Sequence, residues 1–122
     1  MSLVPARQLS TDRLQTSGTQ VTAVEAEEMA VEVSRIQLVN RGSNAATVEI
    51  YHDDDGTTFD EAALIFRESV APGSTWNDCL HTQAPGTGLP VSPGGAIGIE
   101  ATGTSPDVVV AIYGITEAST GT

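Results

Sequence analysis

Apolar and polar residues alternate with a period of two along most of this chain of 122 residues, and that period predicts β-strands. Within 29–40 the alternating apolar residues lie at odd positions up to Val33 and at even positions from Ile36. A shift of one residue predicts a β-bulge or a bend at Ser34-Arg35, because side chains alternate strictly between the two faces of a strand.

The same period predicts further strands over 45–52, 64–69, 75–80, 96–101 and 107–116, with a brief extended piece at 89–91. The residues of 41–44 favour a turn, so 29–40 and 45–52 are predicted to pair as a β-hairpin. The last strand, 107–116, is apolar on both faces. This predicts a central strand with the core on one side and a neighbouring subunit on the other.

Six to eight short strands separated by turns predict an all-β fold, an antiparallel β-sandwich of Ig-like or jelly-roll-like type. The length is that of one domain. We expect an N-terminal arm or edge strand over 1–20, the sandwich over 21–118 and a flexible tail over 119–122. A short helix over 24–30 is an alternative for that segment.

The charge composition is strongly acidic. Sixteen Asp and Glu stand against five Arg and no Lys, for a formal net charge of -11. This balance argues against direct binding of nucleic acid or of anionic membrane surfaces, since both need clustered cations. It is typical of proteins from salt-accumulating microbes, where about 1 M salt shortens the Debye length to near 3 Å and screens acidic repulsion. A high-GC genome that disfavours lysine codons is the alternative explanation.

Two further observations concern membranes and secretion. The chain has no run of 18 apolar residues, and its first ten residues lack the form of a signal peptide. We therefore expect a soluble protein that is not secreted through a signal peptide.

The acidic segment around Asp53 and Asp55 is the candidate metal site, with Asp60 and Glu61 as further oxygen ligands. The spacing of an EF-hand is absent, so a solvated turn built on Asp55-Gly56 is the favoured interpretation. No cofactor is expected.

The remaining chemistry-bearing residues do not predict an enzyme. The sequence contains no recognisable nucleophile turn with which His52 could act as a base. A histidine at the end of a strand is usually structural. Cys79 and His81 fall short of the three or four ligands that zinc needs. The segment 86–88 lacks the third glycine of a dinucleotide site.

Four segments resemble small β-sandwich virion proteins of tailed viruses: IQLVNRGSNAATVEIYHDDDGTTF, LIFRESVAPGSTW, LPVSPGGAIGIEATGT and VVVAIYGITEAS. The shared form is a strand ending in Val-Asn, a turn of small residues, a Val-x-Ile-Tyr strand and a Pro-Gly turn. An Ile-x-Ile strand and a final Val-rich strand ending near Gly-x-x-Glu follow. The resemblance covers about residues 20–118.

The resemblance implies a non-enzymatic structural role on a virus particle. It favours a capsid decoration protein that binds the major capsid protein, forms a homotrimer and is made in the host cytoplasm. The alternatives are a neck, tail or fibre component of the same particle, and a β-sandwich module that binds carbohydrate or a host surface. If the host accumulates salt, the particle would be that of a haloarchaeal tailed virus.

Arginine suits bidentate pairing with carboxylates at interfaces. We therefore predict that the interface residues are the five arginines, Arg7, Arg13, Arg35, Arg41 and Arg67. A third candidate class, sugar binding, would depend on Trp76 or Tyr113.

Overall fold

The structure is a computed structural model that describes residues 7–76 and 89–116. Its strands are β1 (Arg7–Leu14), β2 (Val21–Glu25), β3 (Val31–Asn40), β4 (Ala46–Asp53), β5 (Leu64–Val70), β6 (Thr75–Trp76), β7 (Leu89–Val91), β8 (Ala96–Thr102) and β9 (Val108–Thr116). A single 3-10 turn, Glu61–Ala63, precedes β5. The tail predicted for 119–122 and the site candidates Cys79 and His81 lie outside the described residues.

The strands form two antiparallel sheets. Sheet A has the order β1-β9-β3, and β6 and β7 both pair with β3 on its far side. Sheet B has the order β2-β8-β4-β5. The predicted all-β antiparallel sandwich is thus confirmed. The described residues contain nine strands rather than six to eight, because β1 and β2 add two edge strands from the less regular N-terminal region to the seven extended segments that the period predicted.

The main core lies between the sheets and consists of the side chains that alternate inward. The largest fully buried side chains include Ile36, Leu38, Ile50, Ile97, Ile99 and Ile112. Burying such a side chain stabilises the fold by about 1.5–3 kcal/mol. These residues come from both sheets, so the alternation noted in the sequence holds the two layers together.

The β-hairpin predicted for β3 and β4 is wrong, because the two strands lie in different sheets. β3 is flanked by β9 and by β6 and β7, whereas β4 pairs with β8 and with β5, which follows it in the chain. A short polar connection has the same local sequence whether it turns within one sheet or crosses to the other. The sequence period therefore did not distinguish the two cases.

The side chain of Asn40 stabilises the connection by which the chain crosses from sheet A to sheet B. This side chain is fully buried, and Nδ2 donates to the carbonyl oxygens of Asn44 at 3.0 Å and Val70 at 2.9 Å. Oδ1 accepts a hydrogen bond of 2.9 Å from the amide of Gly42. One side chain thus joins the end of β3, the crossing turn and the end of β5.

The N-terminal region contributes edge strands. β1 pairs with β9 at one edge of sheet A, and β2 pairs with β8 at one edge of sheet B. The helix considered for 24–30 is wrong. β2 continues to Glu25, and Ala26 then exchanges backbone hydrogen bonds with the 94–95 turn: its amide donates to Gly95 at 2.9 Å, and its carbonyl accepts from Gly94 at 2.7 Å.

A second, smaller core covers part of the outside of sheet B. Tyr51, Phe59, Ala63 and Ala96 are buried together there. The connection 54–63 folds back so that the ring of Phe59 lies over Gly98, where an added Cβ would come within 2.4 Å of a ring carbon. Gln20 Nε2 also donates to the carbonyl oxygen of Phe59 at 2.7 Å, which fixes this connection to the start of β2.

Candidate interaction surface

The outer face of sheet A, the side turned away from sheet B, is the candidate interaction surface. Its central strand is β9, which lies between β1 and β3. Val110 and Ile112 point into the core and are fully buried. On the outer face, Val109, Tyr113 and Ile115 are each half-buried. The strand that is apolar on both faces therefore presents partly exposed apolar side chains away from the core.

The predicted bulge at Ser34-Arg35 is confirmed, and it places a charge on this face. The register of β3 against β9 shifts between Val33 and Arg35. Because of the shift, Arg35 lies opposite the outward-facing Tyr113 while Ile36 points into the core. Cζ of Arg35 is 4.5 Å from the centroid of the Tyr113 ring, a cation–π contact.

A second arginine reaches the same face from β1. Arg13 lies opposite Val109 and forms a bidentate pair with Asp107, with Nε–Oδ1 and Nη2–Oδ2 distances of 2.8 Å. Hydrogen bonding to Arg13 lowers the pKa of Asp107 below its usual range, and the charges of Arg13 and Arg41 add to the effect. Arg13 and Arg35 therefore lie on the outer face of sheet A, and Arg41 lies in the turn that follows β3.

The other two predicted interface arginines lie elsewhere. Arg67, on sheet B, donates to Glu49 Oε2 and to Glu61 Oε1, both at 2.7 Å from Nη2, and these carboxylates raise its pKa. Arg7 lies opposite Gly114 and donates to Oγ1 of Thr116 at 3.3 Å. The five predicted arginines are therefore divided between the outer face of sheet A, the turn after β3, sheet B and the first residue of β1.

The two sheets also differ in charge. The strands of sheet A carry Arg7, Arg13 and Arg35 against two carboxylates. The strands of sheet B carry five carboxylates against Arg67. The connection 54–63 adds four more acids on the side of sheet B. This separation of positive and negative side chains becomes apparent only when the strand order is known, so no local feature of the sequence predicts it.

The candidate metal ligands form a hydrogen-bonded loop. Asp53 accepts from the amide of Asp55 at 3.1 Å and from the amide of Thr58 at 2.7 Å, and these bonds lower its pKa. Hydrogen bonding to Asp53 raises the pKa of Asp55. Among the described residues no group of three or more His, Cys, Asp or Glu is placed to hold a metal ion.

Two neighbours of this loop take part in structural contacts. Asp54 Oδ1 accepts from the amide of Ser92 at 3.2 Å and lies 3.4 Å from Nε2 of His52. That second distance is too long for a strong hydrogen bond, so the contact is an ion pair only when His52 is protonated. The loop is therefore tied to the 92–95 turn.

Three edge strands carry features that oppose pairing with another chain. β1, β2 and β5 each have a register shift against their only strand partner among the described residues. Asp12 lies opposite Val110 and Glu68 opposite Val48, so both edge carboxylates are on the core-facing side of their strands. Bulges and inward charges at edges disfavour the addition of a further strand.

Searches of protein-family models, curated proteins and solved structures found no match to this chain. In the part of the chain that the structure describes, no helix is long and apolar enough to cross a membrane. The fold and the surface define the class directly: an antiparallel β-sandwich with one acidic sheet and one sheet that presents arginines and half-buried apolar side chains.

Proposed function

We propose that this chain is a non-enzymatic structural protein of a virus particle, and specifically a capsid decoration protein of a tailed virus. The observation that carries the proposal is the outer face of sheet A, where Arg13 and Arg35 flank the half-buried side chains of Val109 and Tyr113. A decoration protein works by burying such a face against a neighbour, which adds stability to the lattice.

The sequence resemblance supports the same role. Its Val-Asn strand end is the site of Asn40, whose side chain joins the crossing turn to β5. Its Val-x-Ile-Tyr strand is β4 and its Val-rich strand is β9. The segments that resemble virion proteins are thus those that order the sandwich and build the proposed contact face.

The partner in this proposal is the major capsid protein or another virion protein, and the site of action is the capsid surface. Homotrimers at three-fold positions are part of the proposal, since homo-oligomers usually have closed symmetry. A neck, tail or fibre component is the alternative within the same particle.

Carbohydrate binding is less well supported. Trp76 packs against Phe66, with ring centroids 5.7 Å apart in an edge-on arrangement. Arg35 lies over the ring of Tyr113. Neither aromatic ring therefore offers the free platform on which a sugar would stack.

Negative-stain imaging of particles that carry the chain with a label fused at its C-terminus tests the proposal. We expect the label to be distributed over the head. A label confined to the neck, tail or fibres would favour the alternative component, and particles without label would refute the virion role.

A further inference from the structure

We propose that the connection 54–63 forms a strap that detaches from sheet B as a unit while the two sheets stay folded. The ring of Phe59 and the side chain of Gln20 hold the strap closed. When it opens, it uncovers Tyr51 and Ala96, which are otherwise buried with it. This opening is a property of the fold and does not depend on a role in a virus particle.

The strap is packed against a core of its own. Only two of its ten residues are buried, Phe59 and Ala63. Together with Tyr51 and Ala96 they form the smaller core, which shares no residue with the main core between the sheets. The ring of Phe59 lies over Gly98, and its centroid is 6.1 Å from that of the Tyr51 ring. Loss of these contacts therefore leaves the main core intact.

The backbone of the strap adds little to this attachment. Among the described residues, no backbone–backbone hydrogen bond joins the strap to the strands that it covers. Its own backbone bonds are local: the amide of Ala63 donates to the carbonyl oxygen of Asp60 at 2.9 Å, and the amide of Leu64 donates to that of Glu61. A segment with few buried contacts and no ladder bonds belongs to the least stable part of a fold.

Hydrogen bonds that involve side chains complete the attachment. Nε2 of Gln20 donates to the carbonyl oxygen of Phe59 at 2.7 Å, and the amide of Ser92 donates to Oδ1 of Asp54 at 3.2 Å. Ordering ten residues costs conformational entropy, which these few bonds and one buried ring must offset. The closed strap is therefore much less stable than the sandwich that it covers.

The charges of the strap also favour opening. The strap carries four carboxylates and no cation. Arg67 is the single arginine on the strands of sheet B, and its Nη2 donates both to Glu61 of the strap and to Glu49 of β4, at 2.7 Å. Among the described residues, Glu61 is the only acid of the strap that pairs with an arginine. Repulsion between the remaining carboxylates opposes closure.

Thiol labelling at two matched positions of β8 tests the proposal. Ala96 and Ala101 are both fully buried, but Ala96 belongs to the smaller core and Ala101 to the main core. Ala96→Cys and Ala101→Cys are made in a Cys79→Ser background. The labelling rate of each folded variant is divided by the rate of the same cysteine in the unfolded chain. We expect Ala96→Cys to react at least about 100-fold faster than Ala101→Cys on this scale.

A substitution in the main core separates opening of the strap from unfolding of the whole chain. Ile36 is fully buried between the sheets. We expect Ile36→Val to accelerate labelling of Ala101→Cys about two- to tenfold, because that position is reached by global unfolding. Labelling of Ala96→Cys should stay within about twofold, since the main core is intact in the open state. Equal acceleration at both positions would overturn the proposal.

Substitution of Gln20 tests how the strap is held. Gln20→Ala removes the bond to Phe59, and Gln15→Ala makes the same change at another exposed glutamine of the 15–20 loop. We expect Gln20→Ala to accelerate labelling of Ala96→Cys about five- to tenfold and Gln15→Ala to change it less than about twofold. An unchanged rate in Gln20→Ala would show that Gln20 does not hold the strap closed, and would contradict the proposal.

Hydrogen exchange of the wild type gives a second readout that needs no introduced cysteine. The amide of Ala63 reports on the strap, and the amides of the β9 ladder report on the whole sandwich. We expect exchange at Ala63 to be insensitive to low urea concentrations, whereas exchange in β9 should accelerate with urea as global unfolding does. The same urea dependence at both places would mean that the strap opens only when the sandwich unfolds, which would refute the proposal.

Discussion

Arg35 lies over the ring of Tyr113, 4.5 Å from its centroid, because a bulge in β3 turns this arginine away from the core. Without the shift, alternation from the buried Val33 would direct Arg35 inward and Ile36 outward. A single extra residue thus keeps the core apolar and places a cation on the outer face of sheet A. Ser34 strengthens the bulge, since its Oγ donates to the carbonyl oxygen of Tyr113 at 3.2 Å.

The contact between Arg35 and Tyr113 should be measurable as a coupling energy. In a double-mutant cycle with Arg35→Gln and Tyr113→Leu, we expect the free energies of unfolding to deviate from additivity by about 0.5–1 kcal/mol, the range for an exposed cation–π pair. Urea unfolding of the four proteins measures this deviation. The control cycle pairs Arg7→Gln with Tyr113→Leu and should be additive; additivity in both cycles would contradict the contact.

Strand positions and the bulge could be predicted because both depend on the period of two, which is a local property. Which strands share a sheet could not, since the 41–45 connection has turn chemistry in either case. The sequence indicated that Asn40 ends a strand, but its hydrogen bonds to Asn44 and Val70 appear only when the crossing is known. Long-range pairing, not local preference, decided the topology.

The candidate surface was predictable only in part. The arginines were identified as a group, but their division between sheets depends on strand order and on register. The solvated turn was predicted only for Asp55-Gly56, and the burial of Phe59 over Gly98, three residues after that turn, was not predicted. A glycine inside the apolar strand β8 was the available signal, since glycine in a strand often marks a close approach by another group.

Asn40 should tolerate substitution poorly even by its nearest isostere. Asn40→Asp removes the donor to the carbonyl oxygens of Asn44 and Val70 and places a carboxyl group in a fully buried position. We expect a loss of about 3 kcal/mol in the free energy of unfolding at neutral pH. Urea unfolding at pH 7 measures it.

The pH dependence of the Asn40→Asp effect and a matched substitution at Asn44 test this explanation. Burial raises the pKa of the introduced carboxyl group above its unfolded value of about 3.9, so the penalty is smallest below that pH and grows as the pH rises. Asn44→Asp makes the same change at an exposed residue, and we expect it to cost less than about 1 kcal/mol. Equal effects of the two substitutions would contradict the assigned role of Asn40.

Gly98 should be required because of Phe59. In Gly98→Ala the new Cβ would come within 2.4 Å of the Phe59 ring, so the ring must move and the fold should lose about 1–3 kcal/mol. Thermal or urea unfolding measures the loss. In a Phe59→Ala background the same glycine substitution should cost little, since the ring is gone. A cost that is unchanged in that background would mean that Phe59 does not cover Gly98.

We expect salt to stabilise the protein by screening the repulsion between its acidic side chains. The neighbouring carboxylates of Glu49 and Glu100 test this explanation. The net charge is -11, so we expect the midpoint of thermal unfolding to rise between roughly 0.1 M and 2 M KCl as repulsion is screened. Glu100 lies directly opposite Glu49 in the pairing of β4 with β8. Glu100→Gln should therefore stabilise the protein by about 0.2–1 kcal/mol at the lower salt concentration and by less at the higher one.

Glu68→Gln is the matched control for this salt effect. It removes one negative charge from the same sheet, but its residue lies opposite Val48 rather than another acid. We expect its stabilisation at low salt to be smaller than that of Glu100→Gln. A wild-type midpoint that does not move with KCl would reject the explanation by charge repulsion.

The pair of Arg13 and Asp107 should control the titration of the Asp107 carboxyl group. Hydrogen bonds from Arg13 are the largest cause of its lowered pKa, and the charge of Arg41 is a smaller one. We expect Arg13→Gln to raise the pKa of Asp107 towards its ordinary value and Arg41→Gln to raise it less, as followed by carboxyl carbon NMR. Because the folded-state pKa is lowered, the pair stabilises the fold above the unfolded value of about 3.9, and this contribution is lost as the pH falls through the folded-state pKa. Arg13→Gln should therefore reduce the acid sensitivity of unfolding in that window, and an unchanged Asp107 titration would show that the pair does not form in solution.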